Sequence, residues 1–170
     1  VDRSNARAVV SYVKQTKKRP FFLSFGMVST HRAFPKPGPG INPDYLQAPS
    51  PVFDNPSTRE DMAGYATLAR CADECFGLVY EALRESGQLE NTILFFTTDH
   101  GIAFPEMKCR LYDTGIGVAL LMRLPGQRGG AGRVIEPIVS QLDLYPTLCE
   151  LAGIEKPDWI QGVSLVPLIG

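Results

Sequence analysis

The stretch Ile93-Leu-Phe-Phe-Thr-Thr-Asp-His-Gly-Ile102 constrains this chain most, because an apolar, β-branched run stops abruptly at Asp99-His100-Gly101. The apolar residues from Ile93 to Phe96 read as a strand buried on both faces, as in a parallel sheet covered by helices. In open α/β sheets the loops after the carboxyl ends of the strands carry the ligands. An acid and an imidazole at that position, followed by a turn-making glycine, therefore read as a site, and both residue types can hold a cation. Taken alone, the aspartate fits a turn or helix cap equally well, since Asp side chains often bond the local backbone. The company it keeps decides between the two.

Other segments supply that company. Phe21-Phe-Leu-Ser-Phe-Gly-Met-Val28 reads as a second buried strand, and His31 follows it at the same kind of edge. Gly117 to Arg123 reads as a third strand and Ile135 to Ser140 as a short one, with an exposed glycine-rich turn over 127–133. Ser4 is a candidate N-cap for a first helix that turns Ala8, Val9, Tyr12 and Val13 inward and ends in Lys14, Lys17 and Lys18. Prolines at 35, 37, 39, 43, 49, 51 and 56 exclude regular helix between Ala33 and Pro56 and predict a long loop. Ser57-Thr-Arg-Glu60 is a capping-box candidate for a long helix. Met62, Tyr65, Ala69, Ala72, Phe76, Val79 and Leu83 form its apolar stripe, and it ends near Gly87. A last helix spans Gln141 to Ala152 and stops at Gly153. Strands alternating with helices predict an α/β fold with a largely parallel sheet flanked by helices.

Charge narrows the function classes. Seventeen basic against eighteen acidic side chains leave a net charge of -1, so no general field draws the chain to nucleic acid or a membrane surface. No apolar run approaches the roughly 20 residues of a membrane span. The four cysteines, Cys71, Cys75, Cys109 and Cys149, lack zinc-site spacing. Cys71 and Cys75, one helical turn apart, read as small buried thiols rather than a disulfide, and the cysteines leave the compartment open.

Five segments, in this order, resemble the sulfatase family of the alkaline phosphatase superfamily. They are Pro20-Phe-Phe-Leu with Thr30-His31, the Tyr65–Gly77 helix with Asp73, Asn91 to Gly101, Lys108 with Leu111-Tyr112 and Gly115, and Ser140 to Gly153 with Asp143 and Tyr145-Pro-Thr147. Gly101-Ile-Ala-Phe-Pro105 before Lys108 is similar to the heparan N-sulfatase branch. The resemblance implies a three-layer α/β/α domain of the alkaline phosphatase type and hydrolysis of sulfate esters or sulfamates, with a sulfated small molecule or glycan as substrate. It implies a calcium ion held by Asp99 and His100, of which Asp99 is the ligand a hard cation prefers. It implies that Lys108 binds the sulfate group, where a fixed ammonium stabilises charge on the transferring oxygens. It implies that His31 contacts the sulfate and serves the departing alcohol or amine as a general acid. For Lys108 and His31 the bland alternatives are a solvated surface lysine and a loop-capping histidine. Asp73 and Asp143 read as structural, Tyr112 and Asp113 as supports around the site, and Arg110 receives no role.

The chain also departs from the family pattern. Sulfatases convert a Cys or Ser in C/S-x-P-S/A-R to formylglycine, and none of the four cysteines stands in that motif, so formylglycine is not encoded here. The family's first strand, with its pair of metal-binding aspartates, is not in the sequence either. The expectation is a single partial domain over residues 1–170: the second half of a sulfatase catalytic domain, without nucleophile region or C-terminal subdomain. Such a fragment should be inactive alone and bind calcium weakly, since calcium takes six to eight oxygens. Half a sheet would expose edges through which the chain could self-associate. Two other readings stand beside this one: a phosphodiesterase or phosphatase of the same superfamily using two transition metals, and a non-catalytic module retaining the fold.

Overall fold

A computed structural model describes residues 1–16, 19–127 and 132–169. These form two compact units, Val1–Met122 and Arg123–Gly170.

The first unit is built on two helices, α1 (Asp2–Gln15) and α2 (Pro56–Glu85). Val13 of α1 meets Val79, Ala82 and Leu83 of α2 and Leu89 beyond it, with Phe21, Phe25 and Leu94 packed against this cluster. Two ion pairs fasten the outside of the helix pair, Arg3 to Glu74 at 2.6 Å and Lys14 to Glu85 at 3.1 Å. The face of α1 differs from the sequence expectation. Ala6 is buried and Ala8 exposed, and the helix begins at Asp2 with Val1 as N-cap, so that Ser4 lies inside it rather than capping it. Lys17 and Lys18 lie outside the described residues.

Helix α2 starts one step earlier than the Ser57 capping box predicts. Asn55 is the N-cap: its side chain accepts from Ser57 N and Thr58 N, Thr58 returns the bond to the cap amide, and Pro56 fills the first turn. Pro suits that position because its missing N–H would have no intrahelical partner there. The helix ends at Glu85, followed by Gly87 at φ +73°, as the sequence predicts. The proline-rich segment before it is a loop laid along α2, where Thr67 accepts the Gly38 amide and Arg70 donates to Pro39 O.

Strand β1 (Leu94–Thr97) pairs with β2 (Leu120–Arg123) in a two-stranded sheet. Contrary to the expectation of burial on both faces, Leu94, Phe95 and Phe96 are half-buried and Thr97 is exposed. Phe96 meets Phe76 of α2 edge-on at 5.7 Å. Phe21–Val28, expected as a buried strand, is extended but joins no ladder among the described residues. Its burial alternates, with Phe21, Leu23, Phe25 and Met27 turned in and Phe22 and Val28 turned out. The pattern is that of a strand covered on one side. Between β1 and β2 lie the 98–112 loop and a single turn, α3 (Asp113–Ile116).

The second unit centres on α4 (Leu144–Ala152), entered through a 3-10 turn at Gln141–Asp143 and closed by Gly153 at φ +67°. A short helix, α5 (Val166–Ile169), follows. Residues 135–140, expected as a short strand, form no ladder. The glycine-rich turn falls largely on 128–131, outside the described residues. Asp143 has the structural role read from the sequence, its carboxylate accepting Ser140 N at 2.8 Å and Val163 N at 2.9 Å. No helix among the described residues is long and apolar enough to cross a membrane.

Candidate active site

Asp99 and His100 lie in the turn immediately after β1. His100 Nδ1–H donates to Gly101 O at 2.7 Å, because a carbonyl can only accept, and this turns Nε2 towards Asp99 Oδ2 at 3.4 Å. The Asp99 side chain is 87% exposed, so its oxygens are available to a ligand. A backbone carbonyl on one ring nitrogen, freeing the other, is the usual way a metal-binding imidazole is oriented. A carboxylate and an imidazole lone pair side by side fit one edge of a divalent-cation shell. Among the described residues no third His, Cys, Asp or Glu gathers with them.

Lys108 sits on the same loop, half-buried. The loop folds back because Phe104 and Met107, at 4% and 2% exposure, plug it into the interior. Ile102 O accepts the amides of Phe104 and Lys108, and Gly101 N donates to Gly115 O at 2.8 Å. Glu106 and Cys109 adopt left-handed backbone, φ 61° and 66°, which side-chain-bearing residues rarely do and which clusters at functional sites. Cys109 is exposed, Cys75 and Cys149 are buried and Cys71 is half-buried, so the expected burial of the Cys71–Cys75 pair holds for Cys75 only. Burial, and the neighbouring Cys71, push the Cys75 thiol up. Arg110 pairs with Glu106 at 3.3 Å on the surface. Tyr112 caps α3 through its backbone, and Asp113 is exposed in its first turn.

His31 is exposed in the turn after the extended segment, with its amide on Val28 O at 2.7 Å and its Nδ1 on the Arg32 carbonyl. Two residues the sequence reading passed over hold this turn. Asp2 accepts Val28 N at 3.0 Å and Ser29 N at 2.7 Å. Burial works against its charge, but these donors outweigh burial and hold its carboxyl below the ordinary range. Arg32 donates to Ala103 O at 2.9 Å and Asp61 at 2.6 Å, its guanidinium lying 4.4 Å from the Phe34 ring centre. Phe34, Tyr65 and Phe104 form an aromatic trio beneath it with centroids 5.5 to 6.4 Å apart, and burial pushes the Tyr65 hydroxyl up.

The structure thus joins Asp99 to His100 by direct contact and joins both to Lys108 through one loop. His31 makes no hydrogen bond or ion pair with these three among the described residues, and it reaches their loop through Arg32. No signal in a single sequence identifies Asp2 as the partner of residues 28–29. The only hint of Phe104 and Met107 is apolar spacing inside a loop.

The carboxylate, imidazole and ammonium groups thus lie on the loop that follows a strand, the place where open α/β sheets carry their ligands. A sequence model of the sulfatase family matches residues 2–154, and this chain belongs to that family. It is 32% identical over 187 residues to N-sulphoglucosamine sulphohydrolase of Homo sapiens, covering 95% of this chain and 37% of that protein. A structure from work on the metabolism of multiple glycosaminoglycans by Bacteroides thetaiotaomicron superposes with TM-score 0.85 at 26% identity, over 99% of this chain and 39% of that one. A protein solved with its substrate D-glucosamine-2-N,6-O-disulfate superposes with TM-score 0.61 at 28% identity, over 70% of this chain and 26% of that one. The fold is therefore α/β of the alkaline phosphatase type, and the chain spans about two fifths of the length of the first of these relatives.

Proposed function

We propose that this chain is the part of a sulfatase that binds and protonates the substrate, acting on sulfate esters or sulfamates of a glycan. The observation that carries the reading is the single folded-back loop on which Asp99, His100 and Lys108 all stand, tied through Ala103 to the segment bearing His31. Glucosamine sulfates in the name or bound state of two relatives support a sulfated amino sugar as substrate.

In this reading Lys108 holds the sulfate oxygens as a point charge, worth more where water is excluded. Asp99, with His100, would hold a calcium ion, which when bound neutralises charge developing on those oxygens. When the S–O or S–N bond breaks, its electron pair goes to the departing oxygen or nitrogen. His31 gives that atom a proton, a role imidazole can fill near neutral pH. The nucleophile is not among these residues, since no C/S-x-P-S/A-R motif occurs in the chain.

The test is hydrolysis by a family-length protein containing this chain, assayed on N-sulfoglucosamine, 4-nitrophenyl sulfate and a phosphodiester. The expected result is turnover of the sulfated substrates, with Lys108→Ala lowering kcat/KM by about 10²–10³-fold. Preference for the phosphodiester, or full activity of Lys108→Ala, overturns the reading.

A further inference from the structure

We propose that Arg32 is a positioning residue. Its guanidinium pins the histidine-bearing segment to the loop of Asp99 and Lys108 and so sets where His31 stands over a substrate. The proposal rests on the reading of His31 as proton donor.

Three observations carry it. First, Arg32 binds two other parts of the first unit at once, the loop through Ala103 O (Nε, 2.9 Å) and the Phe104 ring (5.3 Å) and α2 through Asp61 (Nη2, 2.6 Å), while lying 4.4 Å from the Phe34 ring of its own segment. Only arginine combines a planar face for stacking with a directional fork of donors. Second, the segment is held at both ends, by Asp2 at Val28 and Ser29 and by Arg32, and among the described residues the hydrogen bond that crosses from it to the loop is that of Arg32, beside the ring contact of Phe34 with Phe104. Third, the ion pair with Asp61 is 42% exposed on each side, and pairs that open to water contribute little to stability. Its geometry therefore matters more for where it puts His31 than for holding the fold.

A displacement of about 1 Å costs on the order of 10²-fold in rate. In the family-length protein, Arg32→Lys and Arg32→Ala should therefore lower kcat by about 10²-fold on N-sulfoglucosamine. KM should stay within about twofold, as for a group acting only in the transition state. The loss should be much smaller on 4-nitrophenyl sulfate, whose leaving group needs no proton. Arg3→Ala, which breaks the exposed pair with Glu74, should leave both rates unchanged. Equal losses on the two substrates, or none, overturn the proposal.

A second measurement needs no activity. In the 170-residue chain, amide exchange at His31 and Lys108, bonded to Val28 O and Ile102 O, should accelerate together in Arg32→Ala without a change in melting temperature. Exchange unchanged at either amide overturns the pin. If the wild-type protein hydrolyses no sulfated substrate, the sulfatase reading fails and the exchange result alone decides the role of Arg32.

Discussion

The amide of Gly101 donates to the carbonyl of Gly115 at 2.8 Å, and the two backbones are so close that neither residue has room for a Cβ. A Cβ on Gly101 would lie 1.8 Å from Thr114 O, and one on Gly115 would lie 2.2 Å from Arg110 O. This contact closes the loop that carries Asp99, His100 and Lys108. Backbone cannot retreat as a flexible side chain can, so Gly101→Ala should cost at least the 1–3 kcal/mol (about) of an overpacked core. Thermal melting gives the loss, and amide shifts of residues 99–116 in a heteronuclear spectrum should move with it. A variant that melts like the parent would mean the loop opens without strain.

Helix α2 contains two glycines with opposite expectations. At Gly64 a Cβ would stand 2.4 Å from Pro35 O and 2.9 Å from Phe34 Cβ, because the chain leaving the His31 turn crosses the helix there. At Gly77 nothing lies within 4 Å. Gly64→Ala should therefore destabilise, while Gly77→Ala should stabilise by about 0.5–1 kcal/mol through helix propensity and the entropy of the unfolded chain. Parallel chemical denaturation of the two variants checks this, and opposite signs are required.

The carboxylate of Asp2 makes the stability of the His31 turn pH-dependent. Its pKa is lowered in the folded chain, so its contribution is fully present above the unfolded value of about 3.9 and is lost as pH falls through the folded value. Asp2→Ala removes acceptors from Val28 N and Ser29 N and should cost about 1.5–3 kcal/mol at neutral pH, the range for bonds to a charged group. The gap between parent and variant should shrink below about pH 4. A gap that is constant from pH 7 to pH 3 would exclude the charge as its source.

The features legible in the sequence were those set by local chemistry or by periodicity. The stripe on α2, the stop at Gly153, the proline-rich loop and the turn after the 93–97 run each follow from residues within a few positions of one another. Features set across the sequence were not legible. Asp2 and Ser29 are 27 residues apart, and Arg32 and Ala103 are 71 apart, yet these bonds hold the His31 turn. The strand expected at Phe21–Val28 shows where pattern reading ends: alternating burial is written in the residues, but a ladder also needs a neighbour. The Ser57 capping box failed for a more local reason. Asn55 before Pro56 is an equally good cap, and proline fits the first turn that this start provides.

In the second unit, Thr147 is fully buried, and its hydroxyl works in both directions: it donates to Asp143 O at 2.5 Å and accepts Leu165 N at 2.8 Å. The hydroxyl thus links the start of α4 to the segment leading into α5, beside the Asp143 carboxylate that accepts Val163 N. Valine would keep the volume and shape of the side chain but leave the buried Leu165 amide without its acceptor. Thr147→Val should therefore cost about 1–3 kcal/mol, the desolvation penalty of an orphaned donor rather than that of a cavity. Thr147→Ser keeps the hydroxyl and removes only a methyl group, so it should cost about 1 kcal/mol. Melting curves of the two variants separate the causes, with early loss of Leu165 amide protection expected in Thr147→Val alone. If serine proves the worse replacement, packing rather than the hydrogen bond holds the two segments together.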